Sequence, residues 1–148
     1  MAHTYTLSPA LRANNVLFRA LIKVGISPGG AALITVRGRR SGQPHTIPVN
    51  PIERDGQLWL VAPYGAVGWV RNLRAAGEVT LTRGRRAEHL HATEVGPEEA
   101  APVLRDYLKK IRVVRPYFDV KPDGALDAFA AEARKHPVFR LDPPGPTA

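Results

Sequence analysis

The sequence predicts an antiparallel β-barrel with peripheral helices, built as one domain of 148 residues. Three observations predict it. Extended runs are joined by hairpin turns such as Arg54-Asp55-Gly56. No series of strand, helix and parallel strand appears, which argues against a doubly wound sheet. Helical spacing is confined to the two flanks and to one short interruption between strands. The length suffices for a buried core, and 44% hydrophobic residues is ordinary for a globular chain.

Residues 1–30 are expected to form an N-terminal helix and linker. Ser8 can cap that helix, Pro9 suits its first position, and Leu17, Leu21 and Val24 recur at helical spacing. Pro28-Gly29-Gly30 ends it. Residues 31–95 are the barrel core. Ala31 to Val36 is a strand, Arg37 to Pro44 a turn, and His45 to Glu53 a second extended run. Pro48 and Pro51 mark that run as an edge strand or a bulge, because proline cannot donate to a ladder. Gln57 to Ala62 is the next strand, Pro63 to Gly68 a loop, and Trp69 to Ala76 a short helix stopped by Gly77. Glu78 to Arg83 alternates, with Val79 and Leu81 on one face, and Ala87 to Val95 returns after a turn at Gly84.

Residues 97–141 supply two helices and a final strand. Pro97, Glu98 and Glu99 open the first helix, whose Leu104, Leu108 and Ile111 line one face. Arg115 to Gly124 is a loop, Ala125 to Lys135 a helix and Pro137 to Leu141 a strand. The Pro-rich residues 142–148 form a loose tail.

The chain has no cysteine, which excludes disulfides, thiolate nucleophiles and iron–sulfur ligation. No secretory signal is visible and no run approaches the ~20 apolar residues that span a bilayer. A cytoplasmic location is expected. Arg12, Arg19 and Lys23 beside the apolar positions of the first helix allow peripheral membrane contact. The net charge of +8 lies almost wholly in residues 1–74, where Glu53 and Asp55 are the sole acids. A basic first half attracts nucleic acid, phospholipid or a phosphorylated cofactor, and the total charge does not choose among them.

Two segments can carry chemistry. The first runs from Thr35 to Val49, with Arg37-Gly38-Arg39-Arg40-Ser41-Gly42-Gln43-Pro44-His45 at its turn. Glycines let backbone approach a ligand, Arg39, Arg40 and Ser41 can contact phosphate or carboxylate oxygens, and Gln43 and Thr46 can meet a heterocycle's edge. The second runs from Leu60 to Leu73. Its small loop residues let a flat ring lie on the backbone, and the amides of Gly65 to Gly68 open a helix that can receive negative charge. Trp69 can belong to the core and Asn72 can cap or brace a turn, and this is compatible with a direct part for both.

The T-x-x-G-R-R-S-G-Q-P-H-T-x-P-V hairpin followed by W-x-x-N-L resembles the deazaflavin-dependent nitroreductase family of actinobacteria, over roughly residues 31–95. Pro137 to Leu141 looks like the family's closing strand. The resemblance implies an antiparallel split β-barrel of the FMN-binding type that uses coenzyme F420. It assigns the coenzyme's phosphate and oligoglutamate tail to Arg39, Arg40, Ser41, Gln43 and His45. It places the deazaflavin ring beside Thr46, Ile47, Pro48 and Val49, under the loop of Ala62, Pro63, Tyr64 and Gly65, with Trp69 and Asn72 closing the pocket. Tyr107 and Tyr117 stand where the family often has substrate-facing aromatics. His45 replaces a frequent arginine, and the Pro63 to Gly68 loop is shorter than usual. The implied reaction is hydride transfer between reduced F420 and a quinone, an enone or a nitroaromatic, with the proton coming from solvent or from a nearby hydroxyl, for which Tyr64 is the catalytic candidate.

Other readings weigh less. His89 and His91 share a strand face, but with no cysteine beside them no metal is expected. No elbow surrounds Ser41, and no RNP or helix-turn-helix pattern supports nucleic acid. The alternatives are an FMN-dependent reductase on the same barrel, or a non-catalytic binder of the coenzyme, a haem-like molecule or a fatty acyl ligand. A homodimer is compatible with either.

Overall fold

The computed structural model describes residues 32–144. The expected N-terminal helix and most of the Pro-rich tail lie outside them. Seven strands form one sheet: β1 (Ala32–Arg37), β2 (Pro44–Val49), β3 (Ile52–Arg54), β4 (Gln57–Val61), β5 (Glu78–Arg83), β6 (Arg86–Glu94) and β7 (Val138–Asp142). Three α-helices interrupt or follow them: α1 (Gly68–Ala76), α2 (Pro97–Lys110) and α3 (Leu126–Glu132). A 3-10 turn, Arg112–Tyr117, stands where the sequence suggested loop, and its Pro116 falls in the last turn. The last helix is shorter than its periodicity suggested and ends at Glu132.

Every pairing is antiparallel, in the order β2-β1-β5-β6-β7-β4-β3. The order itself curls the sheet. A flat sheet of seven strands is about 29 Å wide at the usual strand spacing. Yet β2 at one edge is joined to β3 at the other by Asn50 and Pro51 alone. That connection reaches about 11 Å at most. The edges must therefore approach each other, although they do not pair. Pro44 and Pro48 sit on β2, an edge strand, as proline requires. The β3–β4 turn places Asp55 at φ 52° and Gly56 at φ 76°, the twist that a two-residue hairpin needs.

Two apolar layers result. Inside the curl, Ile34, Val36, Leu60, Leu81, Phe139 and Leu141 pack with Val70 and Leu73 of α1. Outside it, α2 and α3 cover the other face of β4 and β7, where Trp59, Val61 and Val138 meet Leu104, Tyr107, Leu108 and Phe129. Strand β4 is thus buried on both faces, which explains why Leu58 to Val61 reads as a continuous apolar run. α1 ends at Gly77, φ 71°, whose N–H donates to the Leu73 carbonyl at 2.8 Å.

Candidate functional site

The β1–β2 turn is set by its own backbone. Gly38 N–H donates to the Gln43 carbonyl at 2.8 Å, and Gly42 N–H donates to the Gly38 carbonyl at 2.9 Å. Gly42 has φ 72°, which disfavours any residue with a Cβ. Ser41 Oγ accepts the Gln43 N–H at 3.2 Å. A Cβ on Gly38 would stand 2.8 Å from His45 Nε2, so the His45 ring lies over the base of the turn. Arg39, Arg40, Ser41, Gln43 and His45 are all exposed.

Asn72 joins this turn to α1. Its Oδ1 accepts the backbone N–H of Arg39 at 3.1 Å and Arg39 Nη1 at 2.7 Å. Arg39 Nη1 also lies 3.5 Å from the Gly68 carbonyl. The structure therefore brings the two sequence segments together, and Asn72, being buried, acts as the brace. Beside the turn lies an open cavity of about 560 Å³ lined by Arg37, Arg39, Arg40, Ser41, Ala75 and Glu78. A smaller one of about 240 Å³ shares Arg37, Gly42, Ala76 and Glu78 and continues to Thr35, Thr80 and His89. The donors and charge of this groove suit a ligand carrying phosphate and carboxylates.

The Thr46 to Val49 run divides. Ile47 and Val49 pack toward the interior of the curl. Thr46 and Pro48 alternate to the opposite face, where the Thr46 and Thr35 hydroxyls lie 2.8 Å apart. A flat ligand on one face of β2 meets one pair or the other. Ala62 is fully buried, and its N–H donates to the Pro137 carbonyl at 2.9 Å. Trp69 packs at a tilt near Phe139, ring centroids 6.5 Å apart, so it joins the core.

Among the described residues, three tyrosines form a second cluster: Tyr64 on the loop before α1, Tyr107 on α2 and Tyr117 at the end of the 3-10 turn. Tyr64 and Tyr117 meet edge to face with centroids 4.8 Å apart. Tyr107 lies behind them and is 2% exposed. Burial, and then the neighbouring Tyr64, push its phenol above the ordinary range. The expectation that Tyr107 faces substrate is therefore corrected: α2 turns it into the core, and only Tyr64 and Tyr117 keep partial exposure. Gly65 closes the loop at φ 86°, and a Cβ there would stand 3.2 Å from the Lys135 carbonyl. Gly65→Ala is expected to cost about 1–2 kcal/mol from the left-handed backbone and to displace the loop, checked by urea unfolding and Tyr fluorescence.

Sequence reasoning missed one pair. Glu132 and His136, spaced i and i+4 at the end of α3, are both buried. That spacing, followed by Pro137, was the available signal. Burial lowers the His136 pKa from 6.5 against the opposing pull of Glu132 and of Ala62, Pro63 and Tyr117 backbone. The unfolded chain then takes up a proton near pH 6.5 that the folded chain refuses, so stability falls as pH drops below 6.5. Urea unfolding on either side of that pH checks this, and His136→Gln is expected to flatten the acid limb.

Among the described residues, no three metal-ligating side chains converge. None of their helices is long and apolar enough to cross a membrane. His89 is exposed, 3.3 Å from Glu78.

A family model described as F420H(2)-dependent quinone reductase matches residues 12–122. No curated protein matches the chain. Among solved structures, an F420-H2 dependent reductase, FDR-A, is 20% identical, with 76% of this chain and 94% of that one covered, at TM-score 0.54. A structure described as a domain-swapped dimer is 19% identical over 91% of this chain and 100% of its own, at TM-score 0.56. A Listeria innocua protein described as a candidate pyridoxamine 5'-phosphate oxidase is 10% identical over 78% and 85%, at TM-score 0.54. These likenesses establish the fold, a split β-barrel.

Proposed function

Because this chain belongs to the F420H(2)-dependent quinone reductase family, we propose that its basic turn holds the anionic part of coenzyme F420 and its Tyr64–Tyr117 pair faces the quinone. The chain is an oxidoreductase that uses F420 and passes hydride to a quinone-like acceptor. What supports this assignment of residues is one observation above others. Asn72 fixes Arg39 through two hydrogen bonds, so the cationic turn is organised before any ligand arrives.

Arg39, Arg40 and Ser41 are assigned to phosphate and carboxylate oxygens, and Gln43 and His45 to the rim of the groove. One face of the Thr46 to Val49 run, together with Pro63 to Gly65 and Trp69, is assigned to the walls around the ring, with Ala62 supporting them from below. Bound F420 in its reduced form supplies the hydride. The protein's part is to orient the two partners and exclude water. Quinone reduced by hydride takes one proton, and Tyr64 Oη is the group assigned to deliver it. Enones and nitroaromatics are further electron-poor acceptors for the same site, and a homodimer is the proposed assembly.

Titration of the protein with oxidised F420, following Trp59 and Trp69 fluorescence, tests the cofactor assignment. Selective quenching by F420 with none by flavin mononucleotide is expected. Equal binding of flavin mononucleotide favours the flavin alternative and overturns it.

A further inference from the structure

Among the described residues, three polar or charged side chains are buried: Asn72, Glu132 and His136. Asn72 braces the basic turn. The other two form a pair that the coenzyme site does not use. His136 Nε2 lies 3.3 Å from Glu132 Oε2, an ion-pair distance without the alignment of a hydrogen bond. Glu132 Oε1 accepts the Asp119 N–H at 2.8 Å. The His136 ring stacks on Phe118 with centroids 3.8 Å apart. Backbone of Ala62, Pro63 and Tyr117 faces the same ring.

Three chain segments therefore meet at this pair: the end of α3, the exit of the 3-10 turn, and the loop after β4. Two of them carry Tyr117 and Tyr64. A buried pair of this kind is a poor stabiliser, since apolar side chains of the same volume serve stability as well or better. What it provides is one fixed arrangement of the groups around it. We propose that Glu132 and His136 are positioning residues for the quinone, holding the Pro63–Tyr64 loop against Tyr117 so that the two rings keep their edge-to-face geometry. This rests on the assignment of Tyr64 and Tyr117 to the acceptor side. The other titratable groups around the pair are Tyr64, Tyr107, Tyr117, Asp119 and Lys135, the last bonded to Asp119.

Steady-state kinetics with reduced F420 and p-benzoquinone test it in Glu132→Gln, which keeps shape, and in His136→Gln, which keeps a polar side chain but removes the ring stacked on Phe118. The expected result is a rise of about tenfold in KM for the quinone, or a comparable fall in kcat, from displacement of the wall. The dissociation constant for F420 should stay within about twofold, because the basic turn is untouched. Unchanged quinone parameters in folded variants overturn the proposal, and so does an equal loss of F420 affinity. Tyr64→Ala separates the two readings. If it raises KM while both Gln variants do not, the positioning role alone fails. If it changes nothing, the acceptor-side assignment fails and takes the positioning role with it.

The wild-type protein gives a second readout that needs no variant to fold. His136 titration followed by proton NMR should coincide with an acid-side fall in kcat/KM for the quinone, without loss of F420 binding. An acid limb at a different pH, or none, overturns the proposal.

Discussion

Arg39→Ala is expected to weaken F420 binding by about tenfold or more, from loss of a charged hydrogen-bonding partner. The loss should shrink as salt is raised, because the groove is open and its charges are screened. Asn72→Ala should reproduce much of it, although Asn72 is buried and its Oδ1 is already occupied by Arg39. If Asn72 acts through Arg39, the double variant will be little worse than Arg39→Ala alone. Isothermal titration of all three at two salt concentrations measures this. Full additivity would mean that Asn72 meets the coenzyme directly. Unchanged affinity in Arg39→Ala would remove the turn from the site.

Phe139→Ala is expected to destabilise the fold by about 3–5 kcal/mol, as deletion of a large buried aromatic does. Phe139, the second residue of β7, is 1% exposed; it fills the inside of the curl and packs near Trp69. Urea unfolding measures the loss, and Trp69 emission should shift to the red as its neighbour disappears. A loss under about 1 kcal/mol would contradict a close-packed interior there.

Most strands and turns are legible because their causes are local, although the run expected from His45 to Glu53 divides at Asn50-Pro51 into β2 and β3, at opposite edges of the sheet. Alternation at Val79 and Leu81, the prolines of β2, and Gly77 after α1 each act within a few residues. Strand order was not legible. Strand β7 comes last in the chain yet lies between β6 and β4, and nothing in Val138 to Asp142 itself says so. The candidate site divides in the same way. The basic turn and the W-x-x-N-L segment were both visible as motifs, but they lie 33 residues apart and only the fold shows that Asn72 meets Arg39. Tyr107 shows the opposite failure. An aromatic on an amphipathic helix reads equally as core or as surface until the helix has a partner, and α2 has β4, β7 and α3. Glu132 and His136 read as ordinary polar residues because burial of such a pair leaves no trace in local pattern.

The family assignment keeps the coenzyme and, among the acceptors the resemblance implies, selects the quinone. The hairpin resembles the deazaflavin-dependent nitroreductases, whereas the matched family is named for quinones. In this chain the basic turn and the W-x-x-N-L segment are joined through Asn72, and Arg39 also reaches the Gly68 carbonyl.

The most direct test is an anaerobic mixing experiment with the protein, reduced F420 and p-benzoquinone, following the return of oxidised deazaflavin absorbance. The account predicts oxidation that requires protein and quinone together, with one quinone reduced per F420 and little activity when reduced flavin mononucleotide replaces it. Oxidation no faster than in the protein-free mixture, or equal rates with the flavin, would contradict it.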